Sequence, residues 1–204
     1  MLTRKEKLIM FISAVVCIAS LMPWYFGKGT FNEETYKRIC SNIVIGGKKV
    51  SMPFTVNDLG DGFDVEIHGG IDEQKIVYGE LIHNGKTVLN FSAYNTGENN
   101  WTDISADDAR EFPINFIRCY SYDDNADIET INNISVDGMK MGTTLRKFIR
   151  KYGEPNDSWN EGSYEIWYSP DSECHTSDHC PVYYDFDDTS SPERFDAFSL
   201  YYSK

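Results

Sequence analysis

An uncharged run of 19 residues at positions 8–26 constrains this chain more than any other part of its sequence. As an α-helix the run would extend about 28 Å, close to the hydrocarbon thickness of a bilayer. Arg4, Lys5 and Lys7 precede it, and basic residues beside a first apolar segment favour the cytoplasmic side. The run therefore predicts a single-pass transmembrane signal anchor at residues 8–26. Residues 1–7 would be cytoplasmic, and the C-terminal part would be extracytoplasmic at the cell membrane.

Two other interpretations of this run remain open. A cleaved signal peptide needs small residues in an A-x-A-like pattern after the apolar region, and Ala14 and Ala19 do not have that spacing. A lipoprotein would be anchored through Cys17, but Val16 precedes this cysteine and an apolar segment follows it. We favour the anchor because the length of the run matches a bilayer span.

The rest of the chain is acidic and aromatic. Residues 27–204 carry 16 lysines and arginines against 31 aspartates and glutamates, a net charge of −15. Such a surface repels nucleic acid, so we exclude nucleic-acid binding. The chain has 13 Tyr, 12 Phe and 4 Trp. That content is too aromatic for a disordered tail and suits the pleated faces of a β-sheet.

Hydrophobic periodicity predicts an α+β fold in two halves after a polar stalk at residues 27–41. The first half, residues 42–133, contains strands around the turns Gly46-Gly47 and Asn84-Gly85. The second half, residues 134–204, contains a helix at 144–152 and a three-stranded antiparallel meander. We expect antiparallel sheet or sheets with one or two short helices packed on one face.

Two further features of the pattern bear on the fold. Both halves show a strand, a turn, a Thr-capped helix, a glycine and then antiparallel strands, which suggests an internal duplication. In the first half, a strand is predicted within 112–122, with Ile114, Phe116 and Arg118 on one face.

The stretch GMKMGTTLRKFIRKYGEP, residues 138–155, with YEIWY at 164–168, resembles the small exported modules of the SmpA/BamE type and the β-lactamase-inhibitor-protein-like fold. That resemblance implies a helical piece packed on an antiparallel sheet, in a module that binds other proteins rather than catalysing. The earlier stretch GGKKVSMPFTVNDLG, residues 46–60, resembles an element of membrane-anchored Gram-positive surface proteins. Neither motif carries a catalytic residue.

Four cysteines lie outside the apolar run, and an even count in an exported chain is compatible with two disulfides. Cys174 and Cys180 would close a short local loop, and Cys40 would then pair with Cys119 by elimination. Unpaired thiols at 174 and 180 remain an alternative.

A zinc site is a second alternative for the segment that holds Cys174, His175, His179 and Cys180. Two thiols and two imidazoles are a set that zinc uses, although the usual spacing separates the ligands into two pairs. In an oxidising compartment the two cysteines favour a disulfide. We therefore expect no cofactor, with zinc as the alternative.

A basic face is predicted on the helix at 144–152, opposite its apolar stripe. It comprises Arg146, Lys147, Arg150 and Lys151. In an acidic chain this face is either solvated, with internal pairing to acidic neighbours, or a docking site for an acidic partner or an anionic wall polymer.

The sequence contains no G-x-S-x-G, H-E-x-x-H or G-x-x-x-x-G-K-[ST] motif, so no catalytic residue is assigned. We expect a non-enzymatic binding or assembly module that contacts protein or cell-wall components. A small wall-modifying hydrolase and a metal-dependent extracytoplasmic sensor domain are the alternatives. A pocket with two close carboxylates would favour the enzyme, and a sheet with an exposed aromatic face would favour the binding module.

Overall fold

The computed structural model describes residues 30–120, 125–160, 164–170, 181–187 and 194–202. Four α-helices lie in these ranges: α1 (Glu33–Cys40), α2 (Ala106–Ala109), α3 (Ile128–Asn132) and α4 (Leu145–Tyr152). The first six strands are β1 (Ile43–Ile45), β2 (Lys48–Val50), β3 (Phe63–Ile71), β4 (Ile76–His83), β5 (Lys86–Tyr94) and β6 (Ile114–Tyr120). The others are β7 (Ser135–Val136), β8 (Met139–Lys140), β9 (Asp157–Asn160), β10 (Tyr164–Tyr168), β11 (Val182–Asp187) and β12 (Arg194–Tyr201).

The main feature is one antiparallel sheet of eight strands, in the order β3-β4-β5-β6-β12-β11-β10-β9. Each half of the chain contributes a four-stranded meander, and the two meanders join where β6 pairs with β12. Ile117 pairs with Leu200 at this junction, and neither is more than 1 % exposed. Joining the meanders satisfies the backbone groups of two apolar strands that would otherwise be sheet edges.

A second, four-stranded sheet has the order β2-β1-β7-β8. It consists of two short hairpins, which meet where Ile43 pairs with Val136. Ile43, Ile45 and Val136 are buried, so one face of this small sheet adds to the same core as the eight-stranded sheet.

Helices α1 and α4 contribute aromatic side chains to the same core. Phe148 of α4 is fully buried, and its ring centroid lies 4.6 Å from Tyr184 and 5.1 Å from Phe186. On α1, the Tyr36 hydroxyl donates to the backbone oxygen of Tyr201 at 2.7 Å. The helices therefore pack on the face of the large sheet that carries Tyr184 and Leu200.

In the structure the halves are counted from the N-cap of their first helix, as residues 32–120 and 127–201, and they repeat one order of elements. A helix, a hairpin, a helical turn that follows a threonine and four antiparallel strands occur twice. Val44 pairs with Lys49 in the first half, and Ser135 and Lys140, each 91 positions later, pair in the second half. Because β1 pairs with β7 and β6 pairs with β12, each sheet is symmetric about its centre: equivalent strands of the two halves lie at equal distances from the middle.

The first helix of each half begins in the same way. Asn32 caps α1 by accepting a hydrogen bond from the Thr35 amide at 2.9 Å. Asp127 caps α3 by accepting one from the Thr130 amide at 3.2 Å. The N-cap residue and the threonine three positions later thus recur together, which supports a duplicated unit.

The predicted fold class is wrong. In the described residues the chain is mostly antiparallel β-structure, with twelve strands in two sheets and four short helices, rather than an α+β domain that follows a transmembrane helix. The physical reason is that strands of the two halves pair with each other, so the sheets extend across both halves.

None of the helices in the described ranges is both long enough and apolar enough to cross a membrane. The predicted span at 8–26 lies outside the described residues. The predicted extracytoplasmic location stays a prediction.

Two segments differ from their predictions, one in kind and one in detail. Residues 33–40, expected within a polar stalk, form α1, and its Tyr36, Ile39 and Cys40 are buried. The helix predicted at 144–152 is present as α4, with Thr144 as its N-cap and Gly153 as its C-cap. The three-stranded meander is present as β10, β11 and β12, and β9 is an additional strand beside β10.

The predicted disulfide between Cys40 and Cys119 is wrong, because both are free thiols. Cys40 ends α1, whereas Cys119 lies near the end of β6 and its Sγ donates to the Val88 backbone oxygen at 3.3 Å. Burial raises the pKa of each thiol to about 12, so both are protonated at neutral pH and serve as small apolar core residues. Cys174 and Cys180 lie outside the described residues.

The first hairpin offers a matched pair of glycine substitutions. Gly46 and Gly47 both have positive φ angles, 55° and 79°. A Cβ at Gly46 would lie 2.5 Å from Cζ of Phe63, whereas a Cβ at Gly47 would meet nothing within 4 Å. We expect Gly46→Ala to lower the free energy of unfolding by about 2 to 3 kcal/mol and Gly47→Ala by about 1 kcal/mol, in urea denaturation. Equal losses would contradict the close approach of Phe63.

Candidate interaction surface

The two faces of the large sheet differ in composition. The face toward the helices and the small sheet is apolar and buried. The opposite face, called the open face below, carries exposed aromatic rings and charges. Among the described residues, four of the five exposed large hydrophobic side chains belong to it: Tyr78, Tyr94, Trp159 and Tyr201. Exposed apolar side chains gathered on one surface mark a site of interaction.

Strand register places a continuous row of side chains across the open face. From β3 to β9 the row reads Glu66, Glu80, Asn90, Arg118, Ser199, Tyr183, Trp167 and Asp157. At the usual spacing between strands, eight strands span about 34 Å. The row crosses a width comparable with that of a protein-binding surface. Within it Glu66 and Arg118 are exposed, whereas Tyr183 and Trp167 are buried, at 6 % and 7 % exposed.

Arg118 lies near the middle of this row, and its guanidinium is positioned by two aromatic rings. Its Cζ atom lies 4.9 Å from the centroid of the Tyr120 ring and 6.0 Å from that of Tyr183. Both distances are within cation–π range. Arg118 is exposed, so its planar group is oriented by the sheet but remains accessible to a partner.

The tyrosines around Arg118 stay protonated. Burial, with the nearby Asp185 and Glu165 carboxylates, raises the pKa of Tyr183. Burial also raises the pKa of Tyr120, and Arg118 opposes this shift. Their hydroxyl groups are therefore neutral in the physiological range.

A second row of side chains, three of them aromatic, crosses four neighbouring strands two residues along from the first row. Tyr78, Ser92, Phe116 and Tyr201 are opposite one another across β4, β5, β6 and β12. Burial raises the pKa of Tyr201, and its hydrogen bond and electrostatic interaction with Tyr94 add to the shift. Tyr94 and Tyr201 therefore interact with each other, and both rings remain exposed, at 40 % and 41 %.

Acidic residues occupy both ends of the row. At the β3 end, His68 lies between two carboxylates, with its Nδ1 4.0 Å from Glu66 Oε1 and its Nε2 3.6 Å from Glu80 Oε1. At the β9 end, Glu165 and Asp157 lie on the same face. The row therefore has Arg118 near its centre and carboxylates at both of its ends.

The basic face predicted on α4 is only partly free. Arg146, Lys147 and Arg150 are exposed and form no ion pair with a residue in the described ranges. Lys151 instead contacts Asp137, with its Nζ 2.9 Å from Oδ2. It also donates to the backbone oxygen of Asp137. The docking face predicted for an acidic partner thus loses one of its four cations to an internal contact.

The remaining predicted site residues fall elsewhere. Cys174, His175, His179 and Cys180 lie outside the described residues. Within the described ranges, no group of three or more His, Cys, Asp and Glu side chains could hold a metal ion. Sequence analysis placed Arg118 on a strand but missed its site, because Tyr183 comes from the other half of the chain.

No protein-family model, curated protein or solved structure matches this chain. The resemblances described for residues 138–168 and 46–60 therefore stay predictions.

Proposed function

We propose that this protein is a non-enzymatic binding module and that the open face of its large sheet binds a basic surface of another protein. The observation that carries the proposal is Arg118 between the Tyr120 and Tyr183 rings, in the middle of a row flanked by acidic residues. Arginine and aromatic residues are the types that contribute most binding energy in protein interfaces.

Two physical arguments support this assignment. Side chains on a sheet that is packed on its other face are already ordered, so little conformational entropy is lost when a partner binds. The acidic ends of the row attract lysines and arginines of the partner, while Arg118 donates hydrogen bonds to one carboxylate of that partner or stacks on one of its aromatic rings. The net charge of −13 strengthens the attraction at long range.

The experiment identifies the partner first and tests the face second. A photo-crosslinking amino acid is placed at Ser199, next to Arg118 in the row, and in a parallel variant at Lys147 on α4. We expect a basic protein to be captured from Ser199 and not from Lys147. That protein is then purified for affinity measurements.

Arg118→Ala is expected to weaken binding of the purified partner by about 2 kcal/mol, or roughly thirtyfold in Kd. Arg118→Lys retains the charge but not the planar stacking group, so its loss is smaller. The matched control is Arg146→Gln, an exposed arginine on α4, which should bind like wild type in isothermal titration calorimetry. Equal affinities for the Arg118→Ala and Arg146→Gln variants would reject the open face as the binding surface.

A further inference from the structure

A cleft of about 630 Å³ lies where the two halves of the chain meet. The first half contributes the β1–β2 turn, the start of β3 and the β4–β5 turn. The second half contributes α3, β7 and β8. Its volume is in the range of small-molecule sites, which occur preferentially at such junctions. None of the residues in the central row of the open face lines it.

One wall of the cleft is a preassembled polar network. Asp127 is 8 % exposed and its Oδ2 accepts hydrogen bonds from His83 Nδ1 at 2.6 Å and from the Thr130 hydroxyl at 2.8 Å. Burial acts to raise the pKa of Asp127, but the hydrogen bonds from His83 and Thr130 outweigh it and the pKa is lowered. The network ties the β4–β5 turn to α3, so the cleft is formed before any ligand arrives.

Two opposite charges face this cleft without neutralising each other. Glu129, in the first turn of α3, and Lys140, on β8, both line it and both are exposed. Neither forms an ion pair with a residue in the described part of the chain. Asn84 and Asn133 lie on the same lining and can each donate and accept hydrogen bonds.

We propose that this cleft binds a small zwitterion, an α-amino acid or a short peptide. Its carboxylate would contact Lys140 and its ammonium group would contact Glu129. A ligand with one positive and one negative group complements both charges at once, whereas a singly charged ligand leaves one unpaired. The β1–β2 turn leaves room for it at Gly47, where even a Cβ would meet nothing within 4 Å.

The test uses isothermal titration calorimetry on the full chain with defined probes. Alanine and alanyl-alanine represent the two sources of the zwitterion. N-acetyl-alanyl-alanine lacks the ammonium group, and alanyl-alanine amide lacks the carboxylate. We expect saturable binding of alanine, alanyl-alanine or both, and a loss of about tenfold or more for each blocked analogue. The tighter of the two zwitterions identifies the class of ligand.

Three variants locate the binding. Lys140→Gln should weaken binding of the zwitterion by about tenfold but leave the weak binding of alanyl-alanine amide, which has no carboxylate, unchanged. Glu129→Gln should also weaken binding of the zwitterion by about tenfold but leave the weak binding of N-acetyl-alanyl-alanine, which has no ammonium group, unchanged. The matched control is Lys49→Gln, because Lys49 holds the same hairpin position in the first half and does not line the cleft. The control should bind like wild type.

The proposal is overturned if neither zwitterion binds, if the blocked analogues bind as tightly, or if Lys49→Gln and Lys140→Gln have equal effects. Thermal denaturation of each variant confirms that it is folded. Because Arg118 is not part of the cleft, the Arg118→Ala variant should bind the zwitterion normally. Failure of this proposal is therefore distinguishable from failure of the open-face interaction.

Discussion

Replacing Asp137 with asparagine is expected to lower the free energy of unfolding at pH 7 by about 3 kcal/mol. Asp137 lies in the β7–β8 turn and is 5 % exposed. Its Oδ2 accepts from Arg38 Nε at 3.1 Å and lies 2.9 Å from Lys151 Nζ. Removing the carboxylate leaves two cations, one on α1 and one on α4, without the anion that holds them together.

The same carboxyl group gives the stability a defined pH dependence. Burial acts to raise the pKa of Asp137, but Lys151, Asn42 and Arg38 outweigh it, so the pKa lies below its usual value of 3.8. A lowered pKa in the folded state stabilises the protein fully above the unfolded value, and the contribution is lost as the pH falls through the folded value. The difference between wild type and Asp137→Asn should therefore be greatest above about pH 5 and shrink below 3.8.

Urea denaturation followed by circular dichroism at pH 7 and at pH 3 measures both effects. The control is Asp61→Asn, an exposed aspartate in a turn, whose substitution should change the free energy of unfolding by less than about 0.5 kcal/mol. A loss for Asp137→Asn that is equally large at pH 3 and pH 7 would contradict the charge-based explanation and indicate a packing defect instead.

Local parts of this fold follow from the sequence. The turns Gly46-Gly47 and Asn84-Gly85 stand between alternating apolar residues, and both hairpins are present. The helix α4 is predicted by its apolar spacing and by Gly153 at its end. These features depend on residues within one helix or hairpin, so a single segment contains all the information needed.

The joining of the two halves does not follow from the sequence. Nothing in the pattern of β6 specifies that its partner is β12, about 80 residues later, because any apolar strand could fill that edge. A bulge also changes the predicted face of one residue. Ile114 was expected beside Phe116, but the register shifts opposite Ser92 and Ala93, and Ile114 is fully buried.

The candidate site was predictable only in its parts. Alternation indicates that Phe116 and Arg118 share a face, but the Tyr183 ring beside Arg118 comes from β11. The charge pattern of α4 predicted a basic face of four residues but not which of them would pair, and Lys151 is the one that contacts Asp137. Contacts between distant segments decided both outcomes, and periodicity within one segment carries no information about them.

Replacing Phe148 with alanine is expected to have the largest effect on stability, a loss of about 4 kcal/mol in the free energy of unfolding. Phe148 is fully buried, and its ring centroid lies 4.6 Å from Tyr184, 5.1 Å from Phe186 and 5.0 Å from Phe195. Alanine removes these contacts and leaves a cavity between rigid rings that cannot collapse to fill it. Native domains have a free energy of unfolding of about 5 to 15 kcal/mol, so this loss removes a large part of the total.

Two variants on the same helix separate the cavity from other causes. Phe148→Leu keeps most of the apolar volume and should lose about 1.5 kcal/mol. Leu145→Ala, at a half-buried position on the same helix, should lose only about 1 to 2 kcal/mol. If Phe148→Ala loses no more than Leu145→Ala in urea denaturation, α4 does not pack on β11 as described. Tyr184 and Tyr183 are consecutive residues on β11 and point to opposite faces of the sheet. If α4 did not hold Tyr184 in place, the position of the Tyr183 ring beside Arg118 would lose its support as well.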